Sequence, residues 1–257
     1  MRTIKHIDYD AVAHLYDAQP YRGKTVDPEL VTFLTQHARA DPPAVLDIAC
    51  GTGNQLVANR AVTAGARVVG LDRSLGMLRQ GRSKAADIAW VQGDAAILPF
   101  SPASFDFITC QFGFHHVLDK ADMLREVFRV LRGGGRFVMR NLCPQEHPDW
   151  LYYDYFPEAR TIDLIDFWPP ERIITAMEKF GFALIAVEPE HLRFEQDLRA
   201  WLDMVRQREL NSQLMAISDP AYAAGISRLE DEVNDEHCPD MRPDHLCLIT
   251  IRGEKNT

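Results

Sequence analysis

From about residue 44 to residue 190, short apolar runs alternate with amphipathic stretches, and this alternation restricts the fold more than any other feature of the chain. Runs that are apolar on both faces need cover on both, which intervening helices supply when the runs lie parallel in one sheet. An α/β fold follows, a parallel sheet with helices on both faces. Strands are expected at 44–49, 67–71, 88–92, 105–110 and 135–140, and helices at 55–64, 75–81 and 119–131. The last helix carries Met123, Leu124, Val127, Phe128 and Leu131 at helical spacing, with Gly133, Gly134 and Gly135 as its stop. Runs at 182–190 and 245–252 read as two further strands.

Two regions exceed a minimal sheet. Residues 142–170 crowd Trp150, Tyr152, Tyr153, Tyr155, Phe156, Phe167 and Trp168 among prolines and acids. Some fifty residues separate the last two strands, where a hairpin needs only a few. There Leu198, Trp201, Leu202 and Val205 form one helical stripe; Tyr222, Ile226, Leu229 and Val233 form another, behind Asp219 as cap and Pro220 in the first turn. These inserts read as a helical, aromatic cap over the carboxyl edge of the sheet, with Trp150, Tyr153 and Trp168 as pocket walls. The expected division is 1–39 (N-terminal helices closing the crevice), 40–141 (core), 142–170 (substrate insert), 171–190 (core helix and strand), 191–243 (helical cap) and 244–257 (final strand and tail). Within 1–39, Val12, Leu15 and Tyr16 predict one short helix, and Asp27 with Pro28 starts another carrying Leu30, Val31 and Leu34.

The 257 residues are 46% apolar and 25% charged, a globular composition. Acids outnumber bases 37 to 28, and a net charge of −9 argues against nucleic acid as partner. No run reaches the roughly 18 apolar residues of a membrane span, and Met1–His14 has polar residues throughout instead of a signal-peptide core, so a soluble, cytoplasmic protein is expected. Cys50, Cys110, Cys143, Cys238 and Cys247 are odd in number and lack a CxxC pair, which predicts reduced thiols and no thiolate metal site.

The segment Val45-Leu46-Asp47-Ile48-Ala49-Cys50-Gly51-Thr52-Gly53-Asn54-Gln55 is a buried strand running through a glycine turn into a helix. Glycine there lets backbone approach a flat ligand lying across the strand ends. A dinucleotide site would place a third glycine at position 56, which is Leu56, so a nicotinamide enzyme is disfavoured. Asp47 suits an ammonium group better than a phosphate. Asp72 ends the second strand, 21 residues after Gly51, where a carboxylate can accept from both ribose hydroxyls. Asp94 ends the third strand, where it can accept from an adenine amine while Ala95 offers its backbone N–H. A lone acid after a strand is often a helix cap, but three at successive strand ends form a pattern.

Together these motifs resemble the class I S-adenosylmethionine-dependent methyltransferases, in the small-molecule group that includes the ubiquinone and menaquinone biosynthesis enzymes. The resemblance covers residues 40–141, through Asp47 to Gly53, Asp72, Gly93-Asp94-Ala95-Ala96-Ile97-Leu98-Pro99-Phe100, Phe105-Asp106 and the turn from Leu131 to Gly135. It implies that Gly51, Thr52 and Gly53 underlie the methionine portion of the cofactor, Asp72 holds the ribose and Asp94 with Ala95 reads the adenine. It further implies that Arg73 and Met77 flank that pocket, Gln111 and Phe112 line the sulfonium, and S-adenosylhomocysteine is the product. A Rossmann-like sheet of seven strands is implied too, the seventh antiparallel and inserted between the fifth and sixth.

Methyl transfer destroys a positive charge in an in-line displacement, so alignment and water exclusion matter more than a strong catalytic group. A hydroxyl acceptor must also lose a proton. His115 and His116 are the imidazoles nearest the crevice in sequence, with His147, Asp149, Tyr153 and Glu171 as competitors and packing or helix capping as the alternative for the pair. A small-molecule acceptor is expected, with oxygen slightly favoured over nitrogen or carbon because phenols and alcohols suit an aromatic pocket. Gln111-Phe112-Gly113-Phe114 replaces the Asn-Pro-Pro-Tyr type motif of enzymes that methylate DNA bases or protein glutamine. A protein or RNA methyltransferase, and a non-catalytic binder of S-adenosylmethionine or S-adenosylhomocysteine, are the alternatives.

Overall fold

The computed structural model describes residues 7–18, 22–37, 41–147 and 149–257. Of the expected N-terminal segment, residues 1–6, 19–21 and 38–39 lie outside that description, as do residues 40 and 148. The chain opens with α1 (Tyr9–Val12) and α2 (Pro28–Gln36), then alternates β1 (Ala44–Ile48), α3 (Asn54–Asn59), β2 (Arg67–Asp72), α4 (Leu75–Lys84) and β3 (Ala89–Gln92). It continues through β4 (Phe105–Gln111), α5 (Lys120–Val130), β5 (Leu131–Leu142), α6 (Leu151–Tyr155), α7 (Pro157–Asp166), α8 (Pro170–Phe180) and β6 (Phe182–Asp197). Helices α9 (Leu198–Val205), α10 (Ser212–Ala216) and α11 (Asp219–Asn234) precede β7 (Met241–Lys255).

The seven strands form one sheet in the order β3-β2-β1-β4-β5-β7-β6, and the seventh lies between the fifth and sixth as the resemblance implied. β1 pairs in parallel with β2 on one side and β4 on the other, and all five of its residues are buried. β3 joins β2, and β5 joins β4, also in parallel. Gly133, Gly134 and Gly135 do not stop α5, which already ends at Val130. They lie inside β5, at a bulge where Phe105 pairs with Leu131 but Phe107 pairs with Arg136. A side chain on Gly135 would meet the carbonyl oxygens of Arg132 and Asp106 at 2.9 Å, so only glycine fits that bend. Beneath it, Asp106 Oδ2 accepts from the Ala44 N–H at 2.9 Å and from Arg132 at 2.7 Å, tying β1 to β4.

The chain divides into two compact units. The larger holds residues 9–141, 170–188 and 249–257; the smaller holds 142–169 and 189–248, together with 7–8. Within the smaller unit, α6, α7, α9, α10 and α11 enclose an apolar core of Tyr152, Phe156, Trp201, Val205, Leu214 and Leu229. The Tyr152 ring meets Trp201 edge-on at 5.2 Å. Ser218 caps α11 by accepting from Ala221 N–H, one residue before the Asp219 expected, so Pro220 stands in the first turn. The strand expected at 182–190 runs on to Asp197, whose carboxylate then caps α9 through Arg199 and Ala200. No helix among the described residues is long and apolar enough to cross a membrane.

Asp163 on α7 is buried and accepts from the Tyr153 hydroxyl at 3.0 Å. Burial is the main force that pushes its carboxyl up to about 7. An unfolded carboxyl titrates near 4, so between about pH 4 and pH 7 the native chain holds a proton that the unfolded chain has released. Stability therefore falls as pH rises through that window. Asp163→Asn keeps the acceptor oxygen without the charge; its melting temperature should exceed that of the wild type above pH 7, with the gap closing below about pH 4, as thermal unfolding across pH will show.

Candidate active site

The carboxyl ends of β1, β2 and β4 place Asp47, Asp72 and Gln111 on one edge of the larger unit. The turn after β1 is left-handed at Gly51 (φ +55°) and Gly53 (φ +73°), conformations that favour glycine. A side chain at Gly51 would meet only Tyr16, at 3.9 Å, which leaves the approach to that backbone open. A side chain at Gly53 would lie 2.1 Å from the Trp90 ring, so this second glycine is required by packing as well as by φ. Thr52 is buried, and its hydroxyl donates to Asp17 Oδ1 at 2.6 Å.

Asp72 accepts from Gly51 N–H at 2.7 Å through Oδ2 and from Ser74 N–H at 2.8 Å through Oδ1. The Arg73 N–H is a third donor to it, and a carboxylate's roughly four lone-pair sites are then not all used. Its carboxyl is raised, chiefly by burial. Asp47 is 3% exposed and has no hydrogen-bond partner among the described residues. Burial first, then the charges of Asp27 and Asp72, hold its carboxyl well above the usual range, with Lys24 as a partial offset. Asp27 and Asp47, both buried, and the half-buried Asp72 outnumber Lys24 and Arg140, the cations that act on this edge, which favours a cationic ligand.

Asp94 is exposed after β3 and bonds the Ala96 N–H at 2.9 Å, while Ala95 and Met77 are buried. Arg73 is exposed, and its carbonyl accepts from Gln92. Gln111 donates to Asp27 Oδ2 at 3.1 Å, and Lys24 Nζ lies 4.9 Å from the centre of the Phe112 ring. Phe112 itself is left-handed at φ +54°. The His115 and His116 rings lie 3.8 Å apart. Burial first, then His116 and Lys120, push His115 well below the ordinary histidine range, and His116 Nε2 pairs with the Tyr9 hydroxyl at 2.8 Å.

In the smaller unit Trp150 and Tyr153 are buried, with Tyr153 bonded to Asp163, and Trp168 is half-buried. Tyr9, Asp10, Asp17 and Lys24 belong to no motif in the sequence, yet the structure brings them to this edge. Asp10 accepts from Ser74 and Gly76, and Asp17 from Thr52, Asn54 and Lys84, so the N-terminal segment is fastened to the turns after β1 and β2. Asp27 had been read only as the cap of α2, which it is; its second oxygen serves Gln111.

The strand order and the acid-lined carboxyl edge define the fold class that binds S-adenosylmethionine. A methyltransferase domain model matches residues 46–139. A demethylmenaquinone methyltransferase from Streptomyces griseus is 32% identical over 164 residues, covering 55% of this chain and 69% of that protein. The ubiquinone/menaquinone biosynthesis C-methyltransferase UbiE of Paracoccus denitrificans is 40% identical over 126 residues, 46% of this chain and 50% of that one. In the first curated relatives it matches, the chain spans about half the length, 46% and 48%. A putative methyltransferase from an antibiotic biosynthesis pathway of Anabaena variabilis shares the fold at a TM-score of 0.62 and 20% identity, covering 86% of this chain and 95% of that one. The chain belongs to the class I S-adenosylmethionine-dependent methyltransferases.

The residues present fit that cofactor: the Gly51 backbone is approachable, and the unpartnered Asp47 carboxylate suits a cation. A cation beside Asp47 lowers its proton affinity, so binding should release protons and strengthen as pH rises. Calorimetry in two buffers of different ionisation enthalpy should record that release, and Asp47→Asn should abolish it.

Proposed function

We propose that this chain methylates a ring carbon of a reduced, quinone-type small molecule, with S-adenosylmethionine as donor. The observation that carries the reading is the acid edge of the core, where Asp47 has no hydrogen-bond partner among the described residues and Asp72 is not exhausted by its three backbone donors. Support for the acceptor class comes from the Streptomyces and Paracoccus relatives, whose names specify menaquinone and ubiquinone chemistry and, in the second, a C-methyltransferase. The oxygen preference drawn from the aromatic residues finds no such support, since an aromatic pocket suits the ring whichever of its atoms is methylated.

When bound, the cofactor supplies an electrophilic methyl group. In this reading the backbone of Gly51, Thr52 and Gly53 lies under its methionine part, and Asp47 faces the ammonium. Asp72 accepts from the ribose hydroxyls through the lone pairs its turn leaves free. Asp94 and the Ala95 N–H read the adenine, with Arg73 and Met77 beside them, and Gln111 and Phe112 line the sulfonium. His115 and His116 are the core's own candidates to take a proton, though burial makes His115 a weak base and Tyr9 occupies Nε2 of His116. Of the three aromatic candidates for the acceptor, Trp168 is half-buried, and Trp150 and Tyr153 lie in the buried cluster of the smaller unit.

Asp72→Asn should weaken S-adenosylmethionine binding by about 1–3 kcal/mol, roughly 5- to 150-fold, because a buried ribose donor is stranded. Calorimetry measures the loss, with circular dichroism to verify the fold. Incubation of the wild type with S-adenosylmethionine and a naphthoquinol should yield a product one methyl heavier with the methyl on carbon; a methyl on oxygen would refute the carbon assignment.

A further inference from the structure

Residues 22–27, which lead into α2, bring Lys24 to the edge where Asp47 emerges, and three side chains of α3 fix that segment in place. Asn54 Nδ2 donates to the Arg22 carbonyl at 3.2 Å, and Gln55 Nε2 donates to the Thr25 carbonyl at 2.9 Å. Asn59 Oδ1 accepts from the Asp27 N–H at 2.9 Å. Gln55 and Asn59 are buried and bonded to each other at 2.9 Å. Because α3 begins directly after Gly53, the helix that the glycine turn opens also sets the position of Lys24.

Lys24 is half-buried, with Nζ 4.9 Å from the centre of the Phe112 ring, a contact that suits a cation but supplies no anion. Its ammonium has no hydrogen-bond partner among the described residues. Asp27 is already committed: one oxygen accepts from the Glu29 N–H at 2.9 Å and the other serves Gln111. Arg22 and Arg140 add positive charge beside the lysine, and neither is free, the first lying 3.9 Å over the Tyr16 ring.

Asp47 and Lys24 therefore act on each other by charge without forming an ion pair. A direct pair would lower the carboxyl and raise the ammonium. Burial first, and like charges second, win on both sides instead, so Asp47 is held well above the carboxylate range and Lys24 below the lysine range. One edge thus presents an acid and a base, each short of a partner of opposite sign. A simple cation would satisfy Asp47 and add to the repulsion at Lys24; a phosphate would suit Lys24 and be repelled by Asp27, Asp47 and Asp72. A ligand with both charges on neighbouring atoms answers both, and an α-amino acid is such a group, since its ammonium and its carboxylate share one carbon.

We propose that Lys24 holds the carboxylate at the methionine end of the cofactor while Asp47 takes the ammonium, so that the two residues together read a zwitterion. The assignment rests on the S-adenosylmethionine reading above and adds a specificity to it: ligands that keep the adenosine and the sulfur but lack the carboxylate are discriminated against. Lys24 is a binding residue that exchanges no proton in the reaction. Its worth lies in a charge-assisted bond made away from bulk water, where such a bond is stronger than a neutral one.

The test measures binding to the full chain by calorimetry with three ligands. They are S-adenosylhomocysteine, its decarboxylated form, which keeps only the ammonium, and 5′-methylthioadenosine, which keeps neither charge. Lys24→Gln should weaken S-adenosylhomocysteine binding by about 10- to 150-fold and leave the other two within about twofold. Lys24→Arg, which keeps the charge, should restore most of that loss. The wild type should prefer S-adenosylhomocysteine to its decarboxylated form by a factor similar to the Lys24→Gln loss. Equal affinity for those two ligands, a Lys24→Gln chain that binds S-adenosylhomocysteine as the wild type does, or one that loses all three ligands alike overturns the carboxylate assignment and leaves the methyl-transfer reading standing. A wild-type chain that binds none of the three overturns that reading, and the assignment with it.

Discussion

Everything at the functional edge depends on β1 being paired in parallel on both sides. Parallel neighbours require crossovers, and right-handed crossovers return each strand with its carboxyl end on the same side. Asp47 stands level with Gly70 of β2 and Thr109 of β4, so acids that are distant in sequence emerge beside one another. The close packing needed for this shows at Gly70, where a side chain would lie 2.7 Å from Leu56 and 2.9 Å from the Cys50 sulfur. Leu56, which spoils a dinucleotide fingerprint, is fully buried as part of that contact.

The edge so formed is electrostatically unfinished. Burying acids near each other raises the cost of ionising any of them, and Lys24 and Arg140 offset that only in part. The polar bonds of Asp10 and Asp17 are spent elsewhere, on fastening the N-terminal segment. Those carboxylates are thereby paired, whereas Asp47, at the end of β1, has no hydrogen-bond partner among the described residues.

The alternation of runs and the glycine turn made the sheet legible, because parallel strands buried on both faces leave a continuous apolar signal. The seventh strand's place in the order came only through the resemblance, since nothing in 245–252 itself says which strands it lies between. Trp90 was invisible as a determinant: its ring underlies Gly53 and Gly81 from a strand whose apolar pattern says nothing of reach. Lys24 sits in a stretch without periodicity, so it left no local trace. The glycines at 133–135 misled because a helix stop and a bulge use the same residue for the same reason, backbone freedom without a side chain.

The strand order also dictates a schedule for folding. Among the described residues β6 has β7 as its sole neighbour in the sheet, and β7 is the last of the seven strands to be made. A chain emerging from the ribosome can assemble β1 to β5 as synthesis proceeds, but β6 must wait, with the helices of the smaller unit already made, until β7 arrives to seat it. For that interval β5 offers an open edge where β7 will lie, and its long row of unpaired amides is a template for pairing with another chain. The making of β7 is thus the step that closes the sheet against aggregation.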